Sequence, residues 1–367
     1  MKNQLLGFWR RHSLLCVLTG CLAPAALYLL LWPVQISPQK WIPLRAPALT
    51  GVYEQNHALT NISRIGQKYL PGSEDIAFDS HSSAWFGLKD GSIWRWSLND
   101  NRPQMMLTLK GPIFGMAFDS ENNLYIAAPK MGLMRIAPTL ETKLLSAKEG
   151  GIRFGIVNDV DVAADGSVYF TDSSCKFGHE RIYNEIMEAG PNGRLLKYDE
   201  QTNQTTLLQD GLHFANGVAL GPNDAYLLVS EMTRYRIRRY WLKGPKKDYS
   251  DIFKENLPGM PDGVSFNKKD TFWVALYTTR SPALDSLLYP HPIFREMLFR
   301  IPSMFRPKSK PYGFVLGLAE DGTVTYNYQD PTGAFSPVSS VVEHQRYLYL
   351  GSTVQHGVGL FPIEPDY

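Results

Sequence analysis

From Leu59 onward the apolar residues fall in short runs separated by turn signals at regular intervals, the pattern of an all-β repeat. The stretch Gly211–Leu276 shows the unit twice. A Gly/Pro-rich approach delivers one polar residue, Asn216 in FANGVAL and Asp262 in MPDGVSF. Each is followed by a short β-branched strand, a turn (GPND or NKKD), and a second strand of aromatic and aliphatic residues, AYLLVSE or TFWVAL. Six units can be marked. The first is EDIAFDSHSSAWFGLKDGSIWRWSL, with a hairpin at Asp90-Gly91, and the second is FGMAFDSENNLYIAAPKMGLMRI. The third, NDVDVAADGSVYFTDSS, resumes after an insertion as GRLLKYDEQTNQTTLL. The fourth runs from Asn216 through RIRRYWL, and the fifth begins at Asp262 and resumes as VLGLAEDGTVTYNY. The sixth is PVSSVVEHQRYLYLGSTVQHGVGLFPI.

The starts Glu74, Gly115, Asn158, Asn216 and Asp262 are 41, 43, 58 and 46 residues apart, the length of a four-stranded blade stretched where loops are inserted. This predicts a six-bladed β-propeller over residues 59–367. The early strand Leu59–Ile65 is placed to close the ring against the carboxy-terminal strands. A β-sandwich gives little reason for polar residues repeated at strand starts. Two insertions, Phe177–Asn192 and Ser281–Gly313, read as helical and are expected to roof a central pocket or lie on a membrane.

Composition adds size and partners. With 367 residues, 44% hydrophobic and 12% aromatic, the chain can bury one large core, and 25 prolines with 30 glycines favour turns and strands. A net charge of +2 gives no footing for nucleic acid. No phosphate-cradling Gly-rich loop, HExxH or GxSxG is present.

The amino terminus differs in kind. Ser13–Val34 is an uncharged apolar run, and a spanning helix needs about 20 residues. Lys2, Arg10 and Arg11 precede it, so residues 1–12 are expected in the cytoplasm and the propeller on the periplasmic, lumenal or extracellular side. A lipobox-like LTGC and an Arg10-Arg11 pair are rival readings. However, the apolar run continues about ten residues past Cys21, where a cleaved segment turns polar. Residues 35–58 are Pro-rich and read as a linker or clasp. Cys175 is the one cysteine outside the apolar run, so the folded domain has no internal disulfide to form, and it reads as a packing residue.

Glu74, Asn158, Asn216 and Asp262 recur at the same phase of their units. Two carboxylates and two amide oxygens are hard donors with a combined charge of −2, which suits Ca²⁺. No His/Cys cluster points to zinc. One such residue alone reads as a turn cap; four in phase are a more specific signal.

The runs PGSEDIAFD, NDVDVAADGSVYFTDSS, GRLLKYD, FANGVAL, YRIRRYWLKGP, LPGMPDGV and FWVAL resemble the strictosidine synthase-like family, most closely its adipocyte plasma membrane-associated branch. The resemblance covers about 300 residues and implies a single amino-terminal anchor. More distantly, the ring is similar to that of paraoxonases, gluconolactonases and diisopropylfluorophosphatase. There the residues matching Glu74, Asn158, Asn216 and Asp262 hold a catalytic Ca²⁺. The chain also departs from these patterns. Ser339 stands where the synthase has its catalytic glutamate, four residues before Glu343-His344. Phe114 stands where paraoxonases carry a functional histidine.

The resemblance therefore implies a membrane-anchored, Ca²⁺-dependent hydrolase of esters or lactones. In this reading Asp262 or Glu74 is both ligand and general base, Asp159 orients that carboxylate, and His213 shuttles a proton, with His356 and His179 as weaker candidates. Two other functions fit the same residues: a tethered binding propeller with structural calcium, or a carbon–nitrogen condensation with a different base. Asn61 and Asn203 head glycosylation-type triplets, and Arg234, Arg236, Arg238 and Arg239 read as a solvated strand face.

Overall fold

The computed structural model describes residues 22–97 and 100–363. Its chain divides into two compact units, residues 43–281 with 309–367, and residues 1–42 with 282–308. The larger is a six-bladed β-propeller of six four-stranded antiparallel sheets.

Five blades are continuous in sequence. Their innermost strands are Ser73–Phe78, Gly115–Phe118, Val157–Val162, Ala215–Leu220 and Gly259–Phe266, which open blades 1 to 5. Blade 6 combines three carboxy-terminal strands, Val341–His344, Tyr347–Leu350 and Val358–Pro362, with Ser63–Ile65 as its outer strand. The pairing Ser63↔Leu360 through Ile65↔Val358 closes the ring, as the early strand foretold. Closure leaves no blade with an unpaired neighbour in the circle, which is how propellers deal with exposed sheet edges.

Alternation of side chains along each strand puts one set of residues toward each neighbouring blade. The core accordingly breaks into six clusters, one in every seam between blades. The seam between blades 4 and 5, for example, holds Leu228, Ile237, Phe272 and Phe314. Second strands such as Ala84–Leu88 and Leu124–Ala128 are buried along their full length. Both faces of such a strand meet a neighbouring sheet, so AWFGL and LYIAA read as unbroken apolar runs.

Residues 43–58 are a clasp. Tyr53 is buried in the seam between blades 4 and 5, its carbonyl accepts from Gln329 Nε2 at 3.1 Å, and Asn56 Nδ2 donates to the Asn327 carbonyl at 2.9 Å. Both insertions are helical. The first forms a 3₁₀ turn, His179–Arg181, and a helix, Ile182–Glu188, here called α2. The arginine-rich strand is not a solvated face: Arg236 and Arg238 both engage the buried Glu231, at 2.6 and 3.0 Å, and Arg239 pairs with Asp251.

The smaller unit contains a helix over residues 22–31, α1, and the second insertion, whose main helix Pro292–Arg300 is α3. The expected tail 1–12 and the first part of the expected span, including Cys16 and Cys21, lie outside the described residues. Among those described, no helix is long and apolar enough to cross a membrane.

Candidate functional site

The four in-phase residues share one structural device. Pairing of the inner with the second strand shifts register between Ser73 and Asp75, Val157 and Val160, Ala215 and Val218, and Pro261 and Val264. Glu74, Asn158, Asn216 and Asp262 each lie inside one of these irregularities. A β-bulge rotates a side chain out of the regular in-and-out alternation, and such bulges are favoured next to active sites because they re-aim a residue. The inner strands of blades 2 and 6 pair in regular register.

Close approach of the blades makes the bulges possible. A Cβ on Gly217 would meet Val264 N at 2.4 Å, and one on Gly263 would meet the Ser339 carbonyl oxygen at 2.7 Å. The glycines of NGV and DGV are therefore there for contact between neighbouring inner strands.

Three of the four are almost wholly buried. Asn158 donates Nδ2 to Ser173 Oγ at 2.8 Å, and Ser173 Oγ in turn donates to the Ala215 carbonyl at 2.7 Å. Asn216 directs Nδ2 at Asp262 Oδ1 and, more weakly, at Met232 Sδ. Asn216 and Asp262, 46 residues apart in the chain, are thus in direct contact. Burial pushes the Asp262 carboxyl up to about 8, against the Asn216 amide that favours its charged form. Glu74 is pushed well above the carboxylate range by burial first, then by the negative charges of Asp262, Asp75 and Asp159.

Directly behind lies a layer that the sequence reading did not single out beyond Asp159. Asp75 accepts the Met116 N–H of blade 2 at 2.8 Å, Asp159 accepts Val218 N–H of blade 4 at 2.8 Å, and Asp161 accepts Leu220 N–H at 2.8 Å. These carboxylates cross-link neighbouring inner strands. Burial raises Asp75 to about 7 and raises Asp159 strongly, with the charge of Asp75 adding to the rise at Asp159. Asp159 acts on Glu74 as a like charge at a distance. Its own oxygens are spent on Val160 and Val218 N–H groups.

The chemical consequence is a demand for positive charge. The charges of Asp75, Asp159 and Asp262 all act on Glu74, and among the described residues neither Glu74 nor Asp262 forms an ion pair with a lysine or arginine. Buried carboxyls in that state take up protons or a cation. The donor set of Glu74, Asn158, Asn216 and Asp262 fits Ca²⁺ chemically: oxygen only, two of them charged, with both amide nitrogens already engaged and the amide oxygens left over. Among the described residues no group of three or more His, Cys, Asp or Glu side chains is arranged to hold a metal.

The histidines are placed differently. His213 donates Nδ1–H to the Ala189 carbonyl at the end of α2, at 3.0 Å. A carbonyl only accepts, so the other ring nitrogen keeps its lone pair. Burial, with Arg234 nearby, lowers His213 to about 4 and keeps it neutral at physiological pH. The charged groups acting on it are Arg234, Glu231 and Arg236, so its nearest electrostatic partners are not the ring carboxylates. His179 faces Glu180, and His356 is exposed beside Pro71. His344 stacks on Phe78 at 3.8 Å between centroids, while Glu343 accepts Trp273 Nε1. That pair is packing. Ser339 Oγ is committed to the Glu74 carbonyl at 2.8 Å, joined there by Ser340 Oγ at 2.7 Å.

Tyr277 was not foreseen. It lies in the second strand of blade 5, in phase with Trp273 and Ala275, which face blade 6. Burial raises its phenol, and the charges of Asp262 and Glu74 add to the effect, so it stands near both. The only sequence signal was its phase two residues past the buried FWVA run. On the flank of the same face, Glu185 of α2 is fully buried against Ser174 Oγ and Asn192 Nδ2 and is pushed up to about 7 by burial.

Comparison with known proteins agrees with the residues. The strictosidine synthase profile matches residues 158–245, and the strictosidine synthase-like amino-terminal profile matches residues 51–96. The chain is 34% identical over 344 residues to the adipocyte plasma membrane-associated protein of Gallus gallus, covering 86% of this chain and 81% of the relative. Against strictosidine synthase-like 3 of Arabidopsis thaliana it is 30% identical over 326 residues, covering 80% and 83%. In fold it is similar to a gluconolactonase from Xanthomonas campestris, with a TM-score of 0.59, 16% identity and coverage of 80% and 87%. The calcium-binding protein regucalcin from Agrobacterium tumefaciens gives a TM-score of 0.56, 14% identity and coverage of 83% and 97%. By its identity to these relatives along most of its length, the chain belongs to the strictosidine synthase-like family, in the branch of the adipocyte plasma membrane-associated proteins.

Proposed function

We propose that this protein is a membrane-anchored, Ca²⁺-dependent hydrolase of esters or lactones. One observation carries the reading. Four oxygen-bearing side chains from four blades are each re-aimed by a bulge, and among the described residues neither carboxyl, Glu74 or Asp262, is ion-paired with a lysine or arginine. The names gluconolactonase and regucalcin among the structural neighbours support the class of chemistry, not the substrate.

Glu74, Asn158, Asn216 and Asp262 would hold the ion. When bound, Ca²⁺ supplies Lewis-acid polarisation of a carbonyl and stabilisation of the charge that develops on its oxygen. The chain's own groups do the rest. Asp262 is the general base for water, with the Asn216 amide fixing its carboxylate; Glu74 is the alternative base. His213, held in one tautomer by Ala189 and lowered to about 4 by burial, stands among Arg234, Glu231 and Arg236 and is left out of the proton path. Ser339 provides no base, since its hydroxyl is bonded to backbone. That weighs against condensation chemistry of the synthase type.

The test is hydrolysis of phenyl acetate and a panel of lactones by the full chain, with and without EGTA, repeated for Asp262→Ala. Turnover lost in both cases supports the reading, and turnover indifferent to both removes it. A melting temperature raised by calcium, with no turnover across the panel, would make the protein a tethered binding propeller instead.

A further inference from the structure

The smaller unit inverts the usual arrangement of apolar and charged side chains. Arg295 and Arg300 of α3 are 1% and 7% exposed, whereas Met304 and Phe305 are 78% and 71% exposed. The arginines are spent on peptide carbonyls. Arg300 donates Nε–H to the Trp32 carbonyl at 2.6 Å and Nη1–H to the Leu29 carbonyl at 3.0 Å, and Tyr28 Oη returns a bond to the Arg300 carbonyl. These carbonyls belong to the last turn of α1 and the residue after it, where a helix leaves acceptors unsatisfied. Arg295 donates to the Gln39 and Leu288 carbonyls, and Trp41 N–H donates to the Tyr289 carbonyl. The insertion therefore grips the chain for some ten residues after α1 as a collar.

Outside the collar the surface is apolar. Leu287, Ile293 and Phe294 of the insertion are exposed along with Met304 and Phe305, and α1 exposes Leu22, Leu27, Leu30 and Leu31. Large exposed apolar patches mark a surface that meets something other than water. A unit that satisfies its backbone internally and turns its aliphatic side chains outward follows the rule for contact with lipid. The occupant is indicated by sequence continuity. α1 is the second half of the uncharged run Ser13–Val34, long enough to span, and the collar is bonded to its carboxy-terminal end. Charge agrees. The exposed cations beside the apolar surface are Lys40 and Lys308, since Arg295 and Arg300 are buried in the collar itself. Basic residues flanking an apolar surface suit an anionic headgroup layer.

We infer that the insertion 282–308 is a second membrane contact: a collar at the exit of the amino-terminal helix whose Leu287, Ile293, Phe294, Met304 and Phe305 enter the interfacial layer of the bilayer. It rests on the reading that residues 13–34 lie in a membrane, and adds that the chain after them is held at the surface instead of hanging as a free tether.

The experiment uses the full chain with Cys16, Cys21 and Cys175 changed to Ser, reconstituted in phosphatidylcholine–phosphatidylglycerol vesicles. Bimane is attached in turn to Phe305→Cys, Ile293→Cys and, on the outer strand of blade 2, Lys143→Cys. Quenching by lipids that carry a doxyl group near the headgroup is then read. For side chains about 5–10 Å into the interface, emission at 293 and 305 falls by roughly half or more and shifts to the blue, while position 143 does not change. Protein that floats with vesicles but shows no quenching at 293 and 305 overturns the collar and leaves the anchor standing. Protein that fails to float removes the anchor and the collar with it. Efficient bismaleimide cross-linking between copies at position 305 without quenching would assign the face to a second copy and also overturn the inference.

Discussion

Blades 1, 3, 4 and 5 and blades 2 and 6 solve the same packing problem differently. The first group breaks inner-strand register, once in blades 1, 3 and 4 and twice in blade 5, and at such a break directs Glu74, Asn158, Asn216 or Asp262 out of the alternation. The second group keeps regular pairing. Blade 2 begins with Gly115, whose missing side chain lets Asp159 of blade 3 lie against it; a Cβ there would be 2.4 Å from Asp159 Oδ1. Blade 6 begins beside Ser339 and Ser340, which hold the Glu74 carbonyl. Four blades therefore break the repeat at a polar residue, and two supply room and support. The lesson is that repeat architecture alone does not make a site; the local departures from the repeat do.

The largest effect should come from the bulged group. Asp262→Ala should lower kcat/KM for lactone or ester hydrolysis by about 10²–10³ or more, as expected for loss of a group that acts on the reacting atoms. If instead Asp262→Ala and Ser339→Ala have equal, small effects on turnover, the distinction between the two groups of blades is not functional.

Next in size is the helical cap beside blade 3. Glu185 is raised from 4.5 to about 7 by burial, so between those values the folded state binds more protons than the unfolded one. Stability is therefore full below pH 4.5 and declines as pH rises toward 7, by about 3 kcal/mol in total. Urea unfolding across pH should show this slope added to that of the raised ring carboxyls, and Glu185→Gln should lessen the total decline by about 3 kcal/mol. A slope unchanged in the variant would show that Glu185 is ionised in the fold throughout.

A smaller effect tests contact between bulged strands. Gly217→Val places carbon where Val264 N lies 2.4 Å away and should destabilise by about 1–3 kcal/mol or more. Gly178→Ala, whose only near atom is a glutamate oxygen at 3.5 Å, should stay within about 0.5 kcal/mol. Equal melting temperatures for the two would mean that neighbouring inner strands are not packed as closely as described. The smallest change belongs to the supporting blades. Ser339→Ala removes one hydrogen bond to the Glu74 carbonyl and should cost about 1 kcal/mol of stability, with Ser340 Oγ still in place.

Much of the fold was readable in advance because blades are local. Each unit forms its own hairpins, so strand length, turn residues such as Asp90-Gly91 and the unbroken apolar run FWVAL are written within about forty consecutive residues. The closing strand was readable too, since the short strand Leu59–Ile65 lay ahead of the first unit and was expected to pair with the carboxy-terminal strands. The four in-phase residues were visible as a repeat, and two of them, Asn216 and Asp262, prove to be in contact. Asp75 and Asp161 were passed over because a strand aspartate ordinarily faces water; here each bonds a neighbouring blade's backbone. The arginines of blade 4 were misread because their partner, Glu231, is a buried residue of the adjacent strand.

The sequence by itself determined the repeat, the number of blades, the strand that closes the ring and the residue types offered to the axis, because these follow from short-range alternation and turn chemistry. Only the tertiary structure decided which of those side chains a bulge turns inward, which carboxyls share an enclosed space, and where insertions bind. The reason is physical. A carboxyl's proton affinity and a side chain's aim depend on neighbours from other blades, and no local pattern states what those neighbours are.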